Sequence, residues 1–336
     1  MKKILILGGT GAMGVYLVPE LLSMGYAVDV VSLDAVESDN SNLRYIQTAN
    51  AKDMTFLAEL LKNDYNGIVD FLIYNTADFE AHHRLLLEHT DHYIYLSSYR
   101  VYANEEHPIV ETSPRLLDVS KDEEFRPVED YSLYKARGED ILKASSFSNW
   151  TAIRPAITYS KRRFQLVTLE ANVVVNRALA GKTVVLPKEA MGVQATMSWG
   201  GDVAKMIARL LLNKAACRDV FTVATSEHNT WETVAGYYRE LVGLNYITVD
   251  KEDYLSILDP NEQPGRRFAR WQLDYDRLFD RIVDNSKILN ITGLKQSELS
   301  SLYDGLKREL SALPKGIFFP GSEAVNQRMD AYLENH

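Results

Sequence analysis

The sequence predicts an α/β fold: a doubly wound parallel sheet followed by a smaller C-terminal α/β lobe. Three observations predict it. Through about residue 160, apolar runs of strand length alternate with runs of helix length, the βαβα order of a parallel sheet. The run Ile68–Tyr74 is nearly all apolar, as a strand covered on both faces should be. Near the N-terminus, Gly8-Gly9-Thr10-Gly11-Ala12-Met13-Gly14 joins an apolar run to an amphipathic one.

Taken in order, Lys3–Leu7 is a strand and Ala12–Met24 a helix, ended by Gly25 as a helix C-cap. Val28–Leu33 and Tyr45–Thr48 are strands, and Asp53–Asn63 is a helix with Asp53 as N-cap. Ile68–Tyr74 is the fourth strand, Ala81–Glu88 a helix and Tyr93–Leu96 the fifth strand. Tyr131–Ser145 is a helix and Trp150–Arg154 the next strand. After Tyr159 the pattern changes. Helical stretches (Leu166–Leu179, Val203–Leu212, Trp231–Val242) mix with short strands (Thr183–Leu186, Val220–Val223), and Asp259–Arg270 reads as a loop. The expected organisation is a domain over residues 1–160 and a mixed region over 161–336, mainly a substrate lobe. A segment of the latter, about 196–225, is expected to return to the first domain.

The glycine turn is the most informative stretch for function. Gly8 suits the turn's backbone angles, Gly11 lacks a Cβ and lets a phosphate approach, and Gly14 allows close packing of helix on strand. The helix N-terminus adds free N–H groups and a positive dipole end. A glycine turn also joins strand to helix in sheets that bind nothing. The position of this one, with these flanks, favours the pyrophosphate of a dinucleotide.

Composition narrows the alternatives. The chain has 336 residues, 46% of them hydrophobic, enough for a sizeable core. A formal charge of −9 argues against a nucleic-acid surface. No apolar run approaches a membrane span, and the short run after Met1-Lys2-Lys3 meets glycines where a signal peptide would continue. The single cysteine, Cys217, fits a reducing cytoplasm and is expected buried and inert. No histidine or cysteine cluster has metal-ligand spacing, so no metal is expected; His82, His83, His89 and His92 are read as surface residues.

A second constellation lies mid-chain. Ser97-Ser98 ends the fifth strand and Tyr131-x-x-x-Lys135 opens the helix that precedes the next strand, both at the carboxyl edge of the sheet, where ligands bind. At i and i+4, Tyr131 and Lys135 share a helix face, where the ammonium would favour the phenolate. Ser98 would hydrogen-bond the same substrate oxygen. Together they form a proton donor or acceptor beside a carbonyl or carbinol carbon, with which a nicotinamide held nearby exchanges hydride. A second copy of the pattern, Tyr303–Lys307, has no strand-end serine upstream and is taken as accidental.

These residues resemble the extended short-chain dehydrogenase/reductases, the NAD-dependent epimerase/dehydratase group. The resemblance rests on Gly8–Gly14, on Tyr95-Leu96-Ser97-Ser98-Tyr99-Arg100-Val101-Tyr102, on Tyr131-Ser132-Leu133-Tyr134-Lys135 and on Ile153-Arg154-Pro155. It continues in Gly201-Asp202-Val203-Ala204 and Asp284-Asn285-Ser286-Lys287. It implies a Rossmann sheet, an NAD cofactor with NADP as the alternative, a small-molecule substrate, and Ser98, Tyr131 and Lys135 as the catalytic set. It also implies that Lys135 holds the nicotinamide ribose. Cofactor contacts are expected from Gly8, Thr10, Gly11, Ala12, Met13 and Gly14, from Thr76, Ala77 and Ser97, and from Pro155 and Ile157. Many relatives dimerise through the helix that bears the Tyr-x-x-x-Lys pair, so a homodimer is a further expectation.

The departures from the family pattern are also informative. The acidic residue expected after the second strand is Ser32, with Asp34 two positions on; no adjacent arginine is visible to pair a 2′-phosphate. The adenine-binding aspartate is replaced by Asn50, followed by Ala51. The arginine that often pairs with a nucleotide diphosphate is Ala195. Arg162, Arg163, Arg266, Arg267 and Arg270 either supply that charge or form a solvated loop. Ser98 is followed by Tyr99-Arg100, not the acidic residues of a dehydratase. The expected function is therefore an epimerase or reductase, against a non-catalytic cofactor-binding or RNA-associated relative.

Overall fold

The computed structural model describes residues 1–336. Its centre is a seven-stranded sheet. The strands are β1 (Lys3–Leu7), β2 (Ala27–Ser32), β3 (Leu43–Gln47), β4 (Tyr65–Asp70), β5 (Thr90–Leu96), β6 (Trp150–Pro155) and β7 (Asp219–Val223). Their order is β7-β6-β5-β4-β1-β2-β3, and every neighbouring pair is parallel. The chain reverses its winding direction between β1 and β4, which opens a crevice at the carboxyl edge.

Alternation within β1 shows how the sheet is covered. Ile4 and Ile6 pack into one buried cluster with Leu17 and Leu21 of helix α1 (Gly14–Ser23). Leu5 and Leu7 pack into another with Leu57 of α2 (Met54–Leu60), Phe79 and Leu86 of α3 (Thr76–Glu88) and Leu142 of α4 (Tyr131–Ala144). Helix α5 (Gly200–Leu210) joins α1 on the first face, and the following segment re-enters the sheet as β7. A third core of 38 buried residues lies mainly in the C-terminal half, around helices such as Ala171–Leu179, Trp231–Val242 and Leu302–Ser311, and reaches Tyr99, Tyr102 and Ala136 of the first half.

Several elements differ from the expectation. The fourth strand spans Tyr65–Asp70 and not Ile68–Tyr74, because only the earlier residues find partners on β1 and β5. The apolar residues beyond it leave the sheet and form a wall of the crevice. Helix α3 starts five residues early, where the Asn75 side chain accepts a hydrogen bond from Asp78 N at 2.7 Å. The run Leu166–Leu179 is helical only from Ala171; before that, Gln165–Leu166 and Leu169–Glu170 pair as a tight hairpin. Within the expected loop Asp259–Arg270, a short helix begins at Phe268.

Two histidines are buried, contrary to expectation. His82 bonds through its ring nitrogens to the Asp78 and Lys52 carbonyls. His92 belongs to β5 and is not a surface residue. Its Nε2 meets Thr151 Oγ1 at 2.8 Å and its Nδ1 accepts from Leu212 N at 2.8 Å. Cys217 is half-buried rather than fully enclosed. No helix is long and apolar enough to cross a membrane.

Candidate active site

A cavity of about 720 Å³ runs along the carboxyl edge from the glycine turn to the helix carrying Tyr131. Gly8, Thr10, Gly11, Ala12, Met13 and Gly14 line one end. Gly8 has φ +76°, a left-handed conformation that favours glycine. A Cβ added at Gly11 would meet only the Gly8 carbonyl, at 3.7 Å, so this part of the turn is open. At Gly14 a Cβ would lie 2.1 Å from the Gly9 carbonyl; here glycine is needed for helix against turn rather than helix against strand. Gly9 is required too, since a Cβ there would press on Val30 and Ile6, a constraint the motif spacing does not show.

Beyond β2, Ser32 and Asp34 take different parts. The Ser32 hydroxyl donates to the Asp34 carbonyl at 3.0 Å and accepts from Asp34 N at 2.9 Å, fastening a turn. Asp34 lines the cavity, and Ser32 does not. Arg162, distant in sequence, comes within 4.0 Å of the Asp34 carboxylate, so the fold brings to this corner an arginine that the local sequence lacks. Ile73 and Leu33 stand 58% and 73% exposed, which leaves apolar surface near this end. Asn50 and Ala51 sit in the turn after β3, outside the cavity wall, as do Thr76 and Ala77 at the start of α3. The Thr76 N–H and hydroxyl both donate to the Glu129 carboxylate.

At the other end the cavity meets Ser98, Tyr131, Pro155 and Ile157. Ser98 accepts from Arg100 N at 3.2 Å, which leaves its own O–H to donate. Ser97, one residue earlier in the extended segment that continues β5, faces the opposite way; its hydroxyl donates to Glu139 at 2.6 Å. Glu139 is fully buried and also receives Arg154 at 2.7 and 2.6 Å. Burial works to raise its pKa, but Arg154 and Ser97 outweigh that and hold it below the usual carboxylate range. This network lies beneath the strand end that presents Ser98.

Tyr131 is the first residue of α4, capped by Asp130, whose side chain accepts from Ser132 N at 2.9 Å. One turn on, Lys135 is fully buried behind the wall. Its ammonium is 5.7 Å from the Tyr131 ring centre and donates to the Leu96 carbonyl at 2.6 Å. Burial pushes its pKa down to about 8, partly offset by the Asp70 carboxylate. Tyr303, in the other copy of the pattern, lies on an exposed surface and bonds to Glu240.

The arginines separate into two groups. Arg267 pairs with Glu124 at 3.0 Å, and Arg270 with Glu252 and Glu262 at 2.7 and 2.8 Å. Arg162 and Arg163 line the cavity, joined by Arg100 and Arg277. Arg100 and Arg277 are not visible in the sequence as one charge source, because 177 positions separate them: Arg100 belongs to the strand-end motif with Ser98, and Arg277 belongs to no local motif.

The comparisons agree with this architecture. The model of the NAD dependent epimerase/dehydratase family matches residues 4–224. A curated relative, chloroplast stem-loop binding protein of 41 kDa b from Arabidopsis thaliana, is 25% identical over 252 residues, 70% of this chain. That match spans 61% of the relative's length. Among solved structures, MoeE5 in complex with UDP-glucose and NAD superposes with a TM-score of 0.68 at 16% identity, over 92% of this chain and 97% of that one. UDP-glucuronic acid 4-epimerase from Bacillus cereus gives 0.66 at 16%, over 92% and 98%. UDP-glucose 4-epimerase from Thermus thermophilus gives 0.66 at 18%, over 94% and 100%. At these identities the structural likeness establishes the fold alone; the family follows from the match to its model, which covers most of the chain. This protein belongs to the NAD dependent epimerase/dehydratase family.

Proposed function

We propose that the protein is an NAD-dependent epimerase or reductase acting on a sugar or nucleotide-sugar-like substrate through Ser98, Tyr131 and Lys135. One observation carries this reading: Ser98 and Tyr131 line the same cavity as the open glycine turn, with Lys135 one helical turn behind Tyr131. The glycine turn would hold the pyrophosphate on Gly8–Gly14. Asp34 would take the ribose hydroxyls and disfavour a 2′-phosphate, hence NAD over NADP. Leu33 and Ile73 offer apolar faces for the adenine, and Asn50 and Ala51, outside the cavity wall, would meet it only at its outer edge. Pro155 and Ile157 would flank the nicotinamide, which when bound supplies hydride exchange with a carbinol or carbonyl carbon.

This chain's own residues handle the proton. The Tyr131 phenol gives or takes it at the substrate oxygen, and the free Ser98 O–H holds that oxygen in place. Lys135 adds a positive charge beneath both. A hydroxyl donor at the reacting oxygen suits epimerisation and reduction alike. The single free cysteine accords with a reducing, cytoplasmic setting.

The test is a substitution series on protein whose NAD binding has been measured. Tyr131→Phe keeps the ring and removes the acid; turnover on a responsive sugar or sugar nucleotide should fall about 10²–10⁴-fold with NAD affinity unchanged. Ser98→Ala should lower turnover alone. Wild-type turnover in Tyr131→Phe sinks the mechanism. The plant relative's name motivates a second reading, RNA binding without turnover. The net charge of −9 opposes it, since phosphate backbones are bound by surplus Lys and Arg.

A further inference from the structure

The end of the cavity beyond Tyr131 gathers more positive charge than the proposed proton chemistry needs. Arg100 stands with its guanidinium carbon 5.1 Å from the Tyr131 ring centre. Its side chain is only 13% exposed, yet its Nε has no hydrogen-bond partner. Buried guanidiniums are rarely left so. The nearest carboxylates are Asp276, 3.3 Å from Nε, and Asp130, 3.9 Å from a terminal nitrogen. Asp276 is already committed to Arg277 and to Arg281, the latter at 3.1 Å. Arg163 shares the same wall and pairs with Glu170 at 3.2 Å. Four guanidiniums thus face three carboxylates even when distant Asp130 is counted, and at least one positive charge is uncompensated.

The fold holds this surplus in place. Arg277 donates from Nε to the Val167 carbonyl at 2.7 Å and from a terminal nitrogen to Gln165 Oε1 at 3.3 Å. Val167 has φ +53°, a left-handed conformation that is strained for a β-branched residue and that the tight hairpin imposes. Burial, with repulsion from Arg100 and Arg163 added, pushes the pKa of Arg277 down despite the favourable Tyr99 hydroxyl. A site that concentrates like charges in a low-dielectric pocket is poised to bind the opposite sign. The segment bearing Arg277 and Arg281 also runs beside Ala195: the Arg281 N–H bonds to the Gln194 carbonyl at 2.9 Å.

Building on the proposed function, we propose that the substrate carries an anionic oxygen group, a carboxylate or a phosphate, next to its reacting carbon, and that Arg100 with Arg277 binds it beside Tyr131. Arg100 is then a specificity residue: it selects charged over neutral sugars at the reacting end of the molecule. A carboxylate would meet a planar fork in two-point fashion, and a phosphate would use the same donors.

The test uses full-length protein saturated with NAD, so that the glycine turn is filled. Calorimetric titration with glucose, glucuronate and glucose 6-phosphate compares one neutral and two charged probes. At least one charged sugar should bind about tenfold or more tighter than glucose, the size expected for hydrogen bonds to a charged group. The tighter of the two identifies the anion as carboxylate or phosphate. Arg100→Met should bring that probe down to the glucose level, and Arg100→Lys, which keeps the charge, should retain part of the preference. A wild-type protein that binds neither charged sugar more tightly than glucose overturns the proposal, and so does a preference that survives Arg100→Met. The wild-type comparison stands even if Arg100→Met fails to fold. A protein that binds NAD but shows no charge preference fails this inference alone. A separate NAD titration distinguishes the two: if it shows no uptake while the charged sugars still bind more tightly than glucose, the proposed function fails and this inference stands.

Discussion

Replacing Gly11 by valine tests the cofactor site with little risk to the fold. The position has no positive φ to protect, and an added Cβ meets only one atom, the Gly8 carbonyl at 3.7 Å. The variant should therefore melt close to wild type. Its isopropyl group would nevertheless fill the space a pyrophosphate needs above the turn. The loss should be that of two charge-assisted hydrogen bonds at about 1.5–3 kcal/mol each, or roughly 10²–10⁴-fold in NAD affinity. Fluorescence or calorimetric titration of both proteins with NAD and NADP measures it. Gly14→Ala supplies the contrast: its Cβ would lie 2.1 Å from the Gly9 carbonyl, so it should lose stability first and binding as a consequence. Equal NAD affinity in wild type and Gly11→Val would refute the turn as the phosphate cradle, and tighter NADP binding would overturn the role given to Asp34.

Three other expectations follow from burial and assembly. His92 is held neutral, its pKa pushed down to about 4 by burial, so between about pH 6.5 and 4 the unfolded chain binds the extra proton and stability falls with pH, by up to about 3 kcal/mol. His92→Gln should flatten that acid limb in urea melts; an unchanged limb assigns it elsewhere. Lys135 charged in its burial site costs the folded state at pH 7, and the cost fades from about pH 8 up to the ordinary lysine range, where the folded protein has already shed the proton. Lys135→Met should therefore gain on wild type at neutral pH by up to about 3 kcal/mol, narrowing above pH 8; a pH-independent gap counts against it. A homodimer through α3 and α4 should give twice the 38.1 kDa chain mass in light scattering at micromolar concentration, and a single monomeric mass removes it.

What the sequence reveals, and what it hides, divides by the range of the interactions. The glycine turn, the Asp53 cap and the Tyr131–Lys135 pair are encoded within a few residues, so the pattern alone locates them. Trp231–Val242 is legible to the residue because it is a strongly amphipathic run with its cap in place: the Thr230 side chain accepts from Thr233 N at 3.1 Å. His92 is misplaced by the sequence pattern because its burial depends on Thr151 and Leu212, which arrive from two other elements. Ser97 groups with Ser98 by motif, because adjacency in sequence does not reveal that successive strand residues face opposite ways. Once Glu139 and Arg154 are known to be buried beneath it, its hydroxyl has an obvious partner.

The arginines show the same limit where it bears on specificity. In the sequence, Arg266, Arg267 and Arg270 form a cluster and Arg100 and Arg277 do not. In the fold, Glu124, Glu252 and Glu262 pair with Arg267 and Arg270, while Arg100 and Arg277 converge on one carboxylate, Asp276. Charge density along the chain is thus a poor guide to charge density in a cleft, because neutralisation is a property of the packed structure. The glycine turn and the Tyr131–Lys135 pair are local and carry the resemblance to the family. The residues that would choose the substrate come from Ser98's own strand end, from the hairpin at Val167 and from the segment before Arg281. Ala195, the empty place in the family pattern, lies beside that last segment. On the proposal above, the positive charge missing at Ala195 would be supplied by Arg277 of that segment together with Arg100, whose guanidinium stands 5.1 Å from the Tyr131 ring centre, and that closeness is the physical basis for expecting a substrate whose charge lies close to its reacting carbon.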